Sequence, residues 1–248
     1  MKSPALLSNK WFVRPHVKPE ATTRLFFFPY ASGGPTVFTK WCADLPSHIE
    51  GTVVHYPGRG SRFDEPAIDE MPRMTDALAQ NIEPLLDKPF SYFGHSMGGL
   101  IAYELARHLR ARHLPMPSHL FISACGAPQL TDSTPKIHSL PDDQFLNEFD
   151  QLDGIPQEMQ NPETLRLLLP IFRADMRLVE DYAYYSGTPL DLPIVAFGAL
   201  DDPRVNREHI EGWTSHTSGG FEARYFSGGH FYLREHRSAL IKIIDEKT

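Results

Sequence analysis

Short apolar runs and stretches with helical spacing alternate along the 248-residue chain. The apolar runs, which predict buried β-strands, lie at residues 25–29, 51–56, 90–93, 119–124, 192–198 and 221–226. The amphipathic spacing of helices occurs at residues 36–45, 72–87, 100–109, 140–149, 164–185 and 231–245. Strands that alternate with helices are typical of a mostly parallel sheet with helices on both faces, so the pattern predicts an α/β fold.

One segment, residues 126–190, departs from this alternation because it shows helical patterns and no clear strand. Pro170 interrupts the second of these patterns and is expected to kink or split that helix, since proline lacks the backbone N–H. Open α/β sheets place their active sites at the carboxyl edge of the strands, and we expect this segment to lie over that edge as a helical lid. The chain length fits a single domain over residues 1–248, with the lid as an insertion.

The composition narrows the class of protein only modestly. The 41% hydrophobic and 22% charged residues are ordinary for a globular chain, and a net charge of −7 without a basic run argues against nucleic acid as a partner. The amino terminus has no apolar signal segment, and no run is long enough to span a membrane. Cys42 and Cys125 have neither C-x-x-C spacing nor a histidine cluster beside them. We expect a cytoplasmic monomer with no metal, no cofactor and no membrane partner.

The sequence G-H-S-M-G, from Gly94 to Gly98, is the most informative motif of the chain. It follows a predicted strand and precedes a predicted helix, which is the context of a nucleophile elbow. The glycines let the strand and the helix approach closely without a Cβ clash. Ser96 is therefore the candidate nucleophile; the alternative interpretation is a surface serine in a glycine-rich turn.

A serine nucleophile needs a histidine base, and the base needs an acid that orients it. In folds with this elbow the chain order is serine, acid, histidine. His230 follows a late strand through a glycine-rich turn, F-S-G-G-H, and is the candidate base. His95 is expected to point away from Ser96 into the packing of the elbow. His209 and His216 flank a polar helix and are expected to be solvent-exposed.

Two adjacent aspartates at the carboxyl end of the strand at 192–198 are candidates for the acid. Asp201 is the preferred candidate, although Asp202 is also within reach of the histidine loop. Pro203 follows Asp202 and biases it toward an extended backbone. Asp132 is a remote third candidate, because it lies several residues beyond the end of an earlier strand.

The negatively charged tetrahedral intermediate of acyl transfer needs two hydrogen-bond donors. In this type of site one donor is the backbone N–H of the residue after the nucleophile, here Met97. The second comes from the loop after the first buried strand, residues 29–34. Ala31 is the best placed donor in that loop, with Tyr30 and Ser32 as alternatives.

Six motifs together resemble a known family. They are LFFFPYASGG, YPGRGSRFDEP, FGHSMGG, LPDDQFL, FGALDDPRV and FSGGHFYL. Their order and separations resemble those of the type II thioesterases that accompany nonribosomal peptide and polyketide synthases. The resemblance extends from about Trp11 to the last predicted helix, so it covers nearly the whole chain.

This resemblance implies a discrete α/β-hydrolase. Such an enzyme cleaves thioesters on the phosphopantetheine arm of carrier proteins and removes wrongly primed or stalled acyl and aminoacyl groups. The resemblance places the nucleophile at Ser96, the acid at Asp201 and the base at His230. It places the oxyanion donors at Ala31 and Met97.

The oxyanion loop departs from the family pattern P-[YF]-A-G-G, because Ser32 replaces the first glycine and its Cβ restricts the backbone. Apolar residues of the lid are expected to line an acyl cleft; they are Leu165, Leu168, Leu169, Ile171, Phe172 and Met176. Related enzymes release medium-chain fatty acids, so the resemblance does not fix which acyl group is the substrate.

Two rival hypotheses about the function are an esterase or lipase of the same fold and a non-catalytic docking module. The absence of an HGGG motif argues against a lipase of that type. The complete set of candidate residues argues against a docking module, because a hydrolase fold that serves only for docking commonly lacks a member of the catalytic set.

Overall fold

The computed structural model describes residues 9–133, 136–151, 155 and 161–248, with residues 131–133 described by their backbone alone. A seven-stranded sheet forms its centre, in the order β1-β3-β2-β4-β5-β6-β7. The strands are β1 (Phe12–Val13), β2 (Thr23–Phe28), β3 (Ile49–Val54), β4 (Phe90–His95), β5 (Leu120–Ser123), β6 (Ile194–Ala199) and β7 (Phe221–Phe226). Strands β2 to β7 pair in parallel, and β1 pairs antiparallel with β3. The predicted α/β fold is confirmed.

Helices cover both faces of this sheet. The α-helices of the described residues are α1 (Thr39–Asp44), α2 (Met71–Ile82), α3 (Met97–Ala111), α4 (Asp142–Gln151), α5 (Pro162–Glu180), α6 (Arg207–Glu211) and α7 (Arg237–Asp245). Successive residues of a strand point to opposite faces, and β2 shows the result. Phe26 and Phe28 join the apolar core shared with α2 and α3. Leu25 and Phe27 join the core shared with α1 and α7.

Several element boundaries differ from those the sequence predicts. The strand predicted at residues 51–56 is β3, which begins at Ile49 because that residue pairs with Thr23 of β2. The predicted split at Pro170 does not occur, and α5 continues through this residue. Pro170 is exposed, whereas Ile171 and Phe172 after it are buried, and this burial holds the helix in place.

Segment 126–190 lies between β5 and β6, and its described residues contain α4, α5 and a 3-10 segment but no strand. Its residues 134–135, 152–154 and 156–160 lie outside the described part. The two helices pack through an apolar cluster of their own, separate from the cores beside the sheet; its buried members are Ile137, Phe145, Phe149, Ile155, Phe172 and Met176. Opening of this segment as a lid stays a prediction.

Within the described residues, no helix combines the length and apolar character needed to cross a membrane.

Candidate active site

Ser96 lies in the sharp turn between β4 and α3, with φ of 53° and ψ of −122°. Residues other than glycine rarely adopt a positive φ, and such strain clusters at functional sites. The glycine on each side of the turn is required by packing. A Cβ at Gly98 would lie 2.0 Å from the carbonyl oxygen of Phe28, and one at Gly94 would lie 2.3 Å from that of Gly98. The turn therefore has the geometry of a nucleophile elbow.

The structure brings His230 to Ser96 across the sheet. The loop after β7 contains Gly228 at φ of 98°, a conformation that favours glycine, and His230 follows two residues later. The hydroxyl of Ser96 donates to Nε2 of His230 with an Oγ–Nε2 distance of 3.0 Å. The imidazole is only 6% exposed. His230 is thus within proton-transfer distance of Ser96.

The acid partner of the histidine is Asp202, and the prediction of Asp201 was wrong. Nδ1 of His230 donates to Oδ2 of Asp202 at 2.8 Å. Asp202 is 8% exposed, whereas Asp201 lies in solvent. The carboxylate of Asp201 accepts a long 3.4 Å hydrogen bond from the N–H of Gly228. The third candidate, Asp132, has its side chain outside the described part.

A turn after β6 explains why Asp202, and not Asp201, binds His230. Oδ1 of Asp202 accepts the backbone N–H groups of Arg204 at 2.9 Å and Val205 at 3.2 Å. These bonds fix one carboxylate oxygen in the turn and leave Oδ2 facing His230. An aspartate followed by proline favours the start of such a turn, so the dipeptide Asp202–Pro203 is the sequence signal that could have identified the acid.

Asp202 remains ionised beside the histidine. Burial acts to raise the pKa of its carboxyl, but the hydrogen bonds from His230, Arg204 and Val205 outweigh burial and hold the pKa below its usual value. An ionised carboxylate at this place stabilises the imidazolium that forms when His230 takes a proton.

The other histidines near the site have different surroundings. His95 is fully buried, as expected, and its Nδ1 lies 2.9 Å from Oγ of Ser123. Burial holds the pKa of His95 well below its usual value, so this ring is neutral. The expectation that His216 is exposed was wrong, since it is buried between Tyr103 and Gln129. His209 is half-buried and faces the cavity beside Ser96.

The two predicted oxyanion donors lie on the same cavity as Ser96 and His230. Met97 is the first residue of α3, where backbone N–H groups have no partner within the helix. Neither its N–H nor that of Ala31 donates to any residue that the structure describes. Ser32 is excluded as an alternative, because its N–H donates to Oδ2 of Asp175 at 2.8 Å. The role of Ala31 and Met97 stays a prediction.

Two small cavities meet at Ser96 and His230, with volumes of about 120 and 30 Å³. The larger is lined by the apolar residues Leu100, Cys125, Leu130, Val179 and Val205 and by polar ones that include Lys136, Glu180 and Arg204. The smaller is lined by Tyr30, Ala31, Phe149, Met176, Val179 and Phe231. Helix α5, through Met176 and Val179, therefore forms one wall of the site. Of the lid residues expected to line an acyl cleft, Met176 faces a cavity, while Ile171 and Phe172 are packed inside the protein.

A third cavity of about 840 Å³ lies between α2, α3 and the end of α5 and is not lined by Ser96, His230 or Asp202. Among the charged groups that line it, Arg177 pairs with Asp69 and Arg107 pairs with Glu104. We place the chemistry at the smaller cavities, because the hydrogen-bonded serine and histidine lie there. The described residues contain no group of three side chains arranged to hold a metal ion.

The mostly parallel sheet, the elbow and the linked serine, histidine and aspartate at its carboxyl edge define the class of an α/β-hydrolase. Residues 23–248 match the family model described as a thioesterase domain. The chain therefore belongs to the thioesterase family, and the resemblance inferred from the six sequence motifs is confirmed.

Two similar proteins carry names that refer to gramicidin. The protein LgrE of Brevibacillus parabrevis is 39% identical over 241 residues, which are 96% of this chain and 92% of LgrE. The gramicidin S biosynthesis protein GrsT of Aneurinibacillus migulanus is 38% identical over 237 residues, covering 95% and 93% of the two chains. LgrE carries the name linear gramicidin dehydrogenase, whereas the linked serine, histidine and aspartate of the present chain are those of a hydrolase.

Solved structures of thioesterases are also similar to this chain. RedJ, a thioesterase from the prodiginine biosynthetic pathway of Streptomyces coelicolor, superposes with a TM-score of 0.87 at 35% identity. The superposition covers 92% of this chain and 91% of RedJ. Medium-chain thioesterases of fatty acid synthase are also similar, at lower identity. The protein is thus an α/β-hydrolase of the thioesterase type.

Proposed function

We propose that this protein hydrolyses acyl or aminoacyl thioesters on the phosphopantetheine arm of carrier proteins. Its role would be to remove aberrant or stalled groups during nonribosomal peptide or polyketide synthesis. The single observation that carries the hydrolytic part is the hydrogen-bonded series Ser96–His230–Asp202 at the elbow. The relatives from gramicidin and prodiginine biosynthesis support the choice of substrate.

The geometry supports a two-step reaction through an acyl-enzyme. Oγ of Ser96 attacks the thioester carbonyl while Nε2 of His230 accepts the hydroxyl proton, and Asp202 stabilises the imidazolium. The N–H groups of Ala31 and Met97 stabilise the tetrahedral oxyanion. Collapse breaks the C–S bond, and the sulfur leaves as a thiol with the proton from His230. Water then attacks the acyl-serine with His230 as the base, which releases the acid and restores the hydroxyl.

The small cavities at Ser96 support a short acyl group as the substrate when α5 is in its present position. Ligand pockets for larger molecules usually have roughly 300–1,000 Å³, well above the 120 Å³ of the larger cavity. A medium-chain fatty acyl group is the alternative substrate that the more distant relatives suggest. Such a chain would require α4 and α5 to move away from the sheet.

Ser96, His230 and Asp202 are hydrogen-bonded within one chain, so this series needs no residue of a second copy, in line with the expected monomer. Cys42 and Cys125 are both unpaired and buried, which fits a reducing compartment such as the cytoplasm.

The test compares one short acyl group on a carrier protein, on coenzyme A and on a small thiol. We expect kcat/KM to be highest for the carrier-bound form, because recognition of the carrier adds to that of the acyl group. Ser96→Ala is expected to lower kcat by about 10⁴- to 10⁶-fold without loss of the fold. Equal turnover of all three substrates would contradict recognition of the carrier. If Ser96→Ala kept a tenth of the wild-type activity, the assignment of Ser96 as the nucleophile would be wrong.

A further inference from the structure

Helix α5 places one buried carboxylate against the loop that holds the predicted oxyanion donor. Asp175 has no solvent exposure, and its Oδ2 accepts the backbone N–H of Ser32 at 2.8 Å. The guanidinium of Arg59 binds the same carboxylate at both oxygens, with distances of 2.8 and 2.7 Å. Arg59 also donates to the carbonyl oxygen of Gly33 at 3.2 Å. A lid helix and the oxyanion loop thus share one buried ion pair.

These contacts hold the loop on both sides of Ala31. Before Ala31, the carbonyl oxygen of Pro29 accepts the hydroxyl of the fully buried Tyr56 at 3.3 Å. After Ala31, Asp175 holds the N–H of Ser32. Ser32 has φ of 68°, a conformation that is strained for a residue with a Cβ. The bond to Asp175 offsets this strain and fixes the direction of the peptide that follows Ala31.

Stability alone is a poor explanation for this arrangement. Taking two charges out of water is costly, and apolar residues of similar volume often stabilise a protein as well as a buried ion pair does. A role in positioning explains the pair better. Through the N–H of Ser32 and the carbonyl oxygen of Gly33 the pair connects α5 to the oxyanion loop, and both α5 and this loop border the cavity beside Ser96.

We propose that the Asp175–Arg59 pair couples the position of α5 to the assembly of the oxyanion site. When α5 lies over the sheet, the pair holds the N–H of Ala31 toward Ser96. When α5 moves away to admit a substrate, Ser32 loses its acceptor, Arg59 loses its partner and the loop loses its fixed shape. Hydrolysis then takes place only while α5 lies over the sheet. Asp175 and Arg59 are positioning residues, and the proposal rests on the proposed function for the roles of Ser96 and Ala31.

The first test uses Asp175→Asn, which keeps the size of the side chain and removes the charge that binds Arg59. A misplaced donor lowers rates by about 10²-fold, so we expect kcat to fall by that order while KM changes by less than about twofold. Phosphonylation of Ser96 by a fluorophosphonate uses the same donors and is expected to slow in parallel. This second readout does not depend on the identity of the thioester substrate.

A matched control comes from the opposite edge of the sheet. Arg24 and Glu50 form a buried ion pair near the amino ends of β2 and β3, with side chains 1% and 2% exposed. Glu50→Gln is expected to lower stability while leaving kcat and the phosphonylation rate of the folded protein within about twofold of wild type. Arg59→Lys keeps the charge and loses the two-pronged contact, and its rates are expected to lie between those of wild type and Asp175→Asn. It also serves as the test variant should Asp175→Asn fail to fold.

The outcomes separate this coupling from the proposed function. Folded Asp175→Asn or Arg59→Lys protein with wild-type kcat and a wild-type phosphonylation rate would overturn the coupling and leave the function intact. Failure of the wild-type protein to react at Ser96 would overturn both, because the nucleophile itself would be wrong.

Discussion

At the scale of single residues, sequence patterns predicted that His230 lies beside Ser96, because each residue stands next to glycines that a tight turn requires. The structure places Oγ of Ser96 3.0 Å from Nε2 of His230. The same patterns found the segment of the acid but chose the wrong aspartate. Which of two adjacent side chains faces the histidine depends on the turn after β6, where Asp202 binds the N–H groups of Arg204 and Val205. His216 was misjudged for a similar reason, since its partner Tyr103 is 113 residues away in the chain.

Asp202 is expected to be essential for rapid hydrolysis. Replacement of Asp202 by Asn leaves no carboxylate to hold Nδ1–H of His230 and is expected to lower kcat by about 10³- to 10⁴-fold through the wrong tautomer. Asp201→Asn is the matched control, because the exposed carboxylate of Asp201 makes no contact with the imidazole. Hydrolysis of an acyl thioester measures both variants. A larger loss in Asp201→Asn than in Asp202→Asn would reverse the assignment made from the structure.

At the scale of secondary-structure elements, the alternating pattern predicted the strands and the helices that cover them. Pro170 shows where local rules fail: α5 continues through it because the buried residues on its inner face outweigh one lost backbone hydrogen bond. The ends of β3 depend on pairing with β2, which no local pattern contains. The apolar residues of α5 form a cleft only in part, since Phe172 and Met176 are buried in the cluster between α4 and α5, and Leu165, Leu168 and Leu169 pack against that cluster.

Val179 near the end of α5 lines both cavities at Ser96, and a larger side chain there is expected to fill them. Val179→Phe should lower kcat/KM for longer acyl groups more than for acetyl, because added volume in a small pocket excludes the longer chain. Leu167→Phe on the same helix is the control, since Leu167 is 64% exposed. Turnover of a series of acyl thioesters of increasing length measures the change. An unchanged length preference in Val179→Phe would place the acyl group elsewhere.

At the scale of the whole molecule, we expect buried histidines to make the folded state sensitive to acid. Burial lowers the pKa of His216 to about 4, and it also lowers the pKa of His95. A histidine whose pKa is lowered by folding binds protons more readily in the unfolded chain. Its contribution to stability is therefore lost as the pH falls from the unfolded pKa, about 6.5, toward the folded value.

We expect the urea concentration at the unfolding midpoint to fall between pH 6.5 and about 4, the window set by His216. His216→Asn removes this titrating group and is expected to make the pH dependence shallower. His113→Asn at an exposed position is the control and should leave the slope unchanged. Equal slopes in wild type and His216→Asn would show that other groups cause the acid sensitivity.

The bond between Ser96 and His230 joins residues that are 134 positions apart in the chain, and it also bears on how the protein folds. The elbow forms from neighbouring residues, but the histidine loop reaches it only after β5, β6 and β7 have joined β4 in parallel. Pairings between distant parts of a chain form late, because closing a long loop costs entropy before any contact is gained. In a refolding experiment, recovered hydrolysis should therefore lag behind recovered helicity and report completion of the sheet.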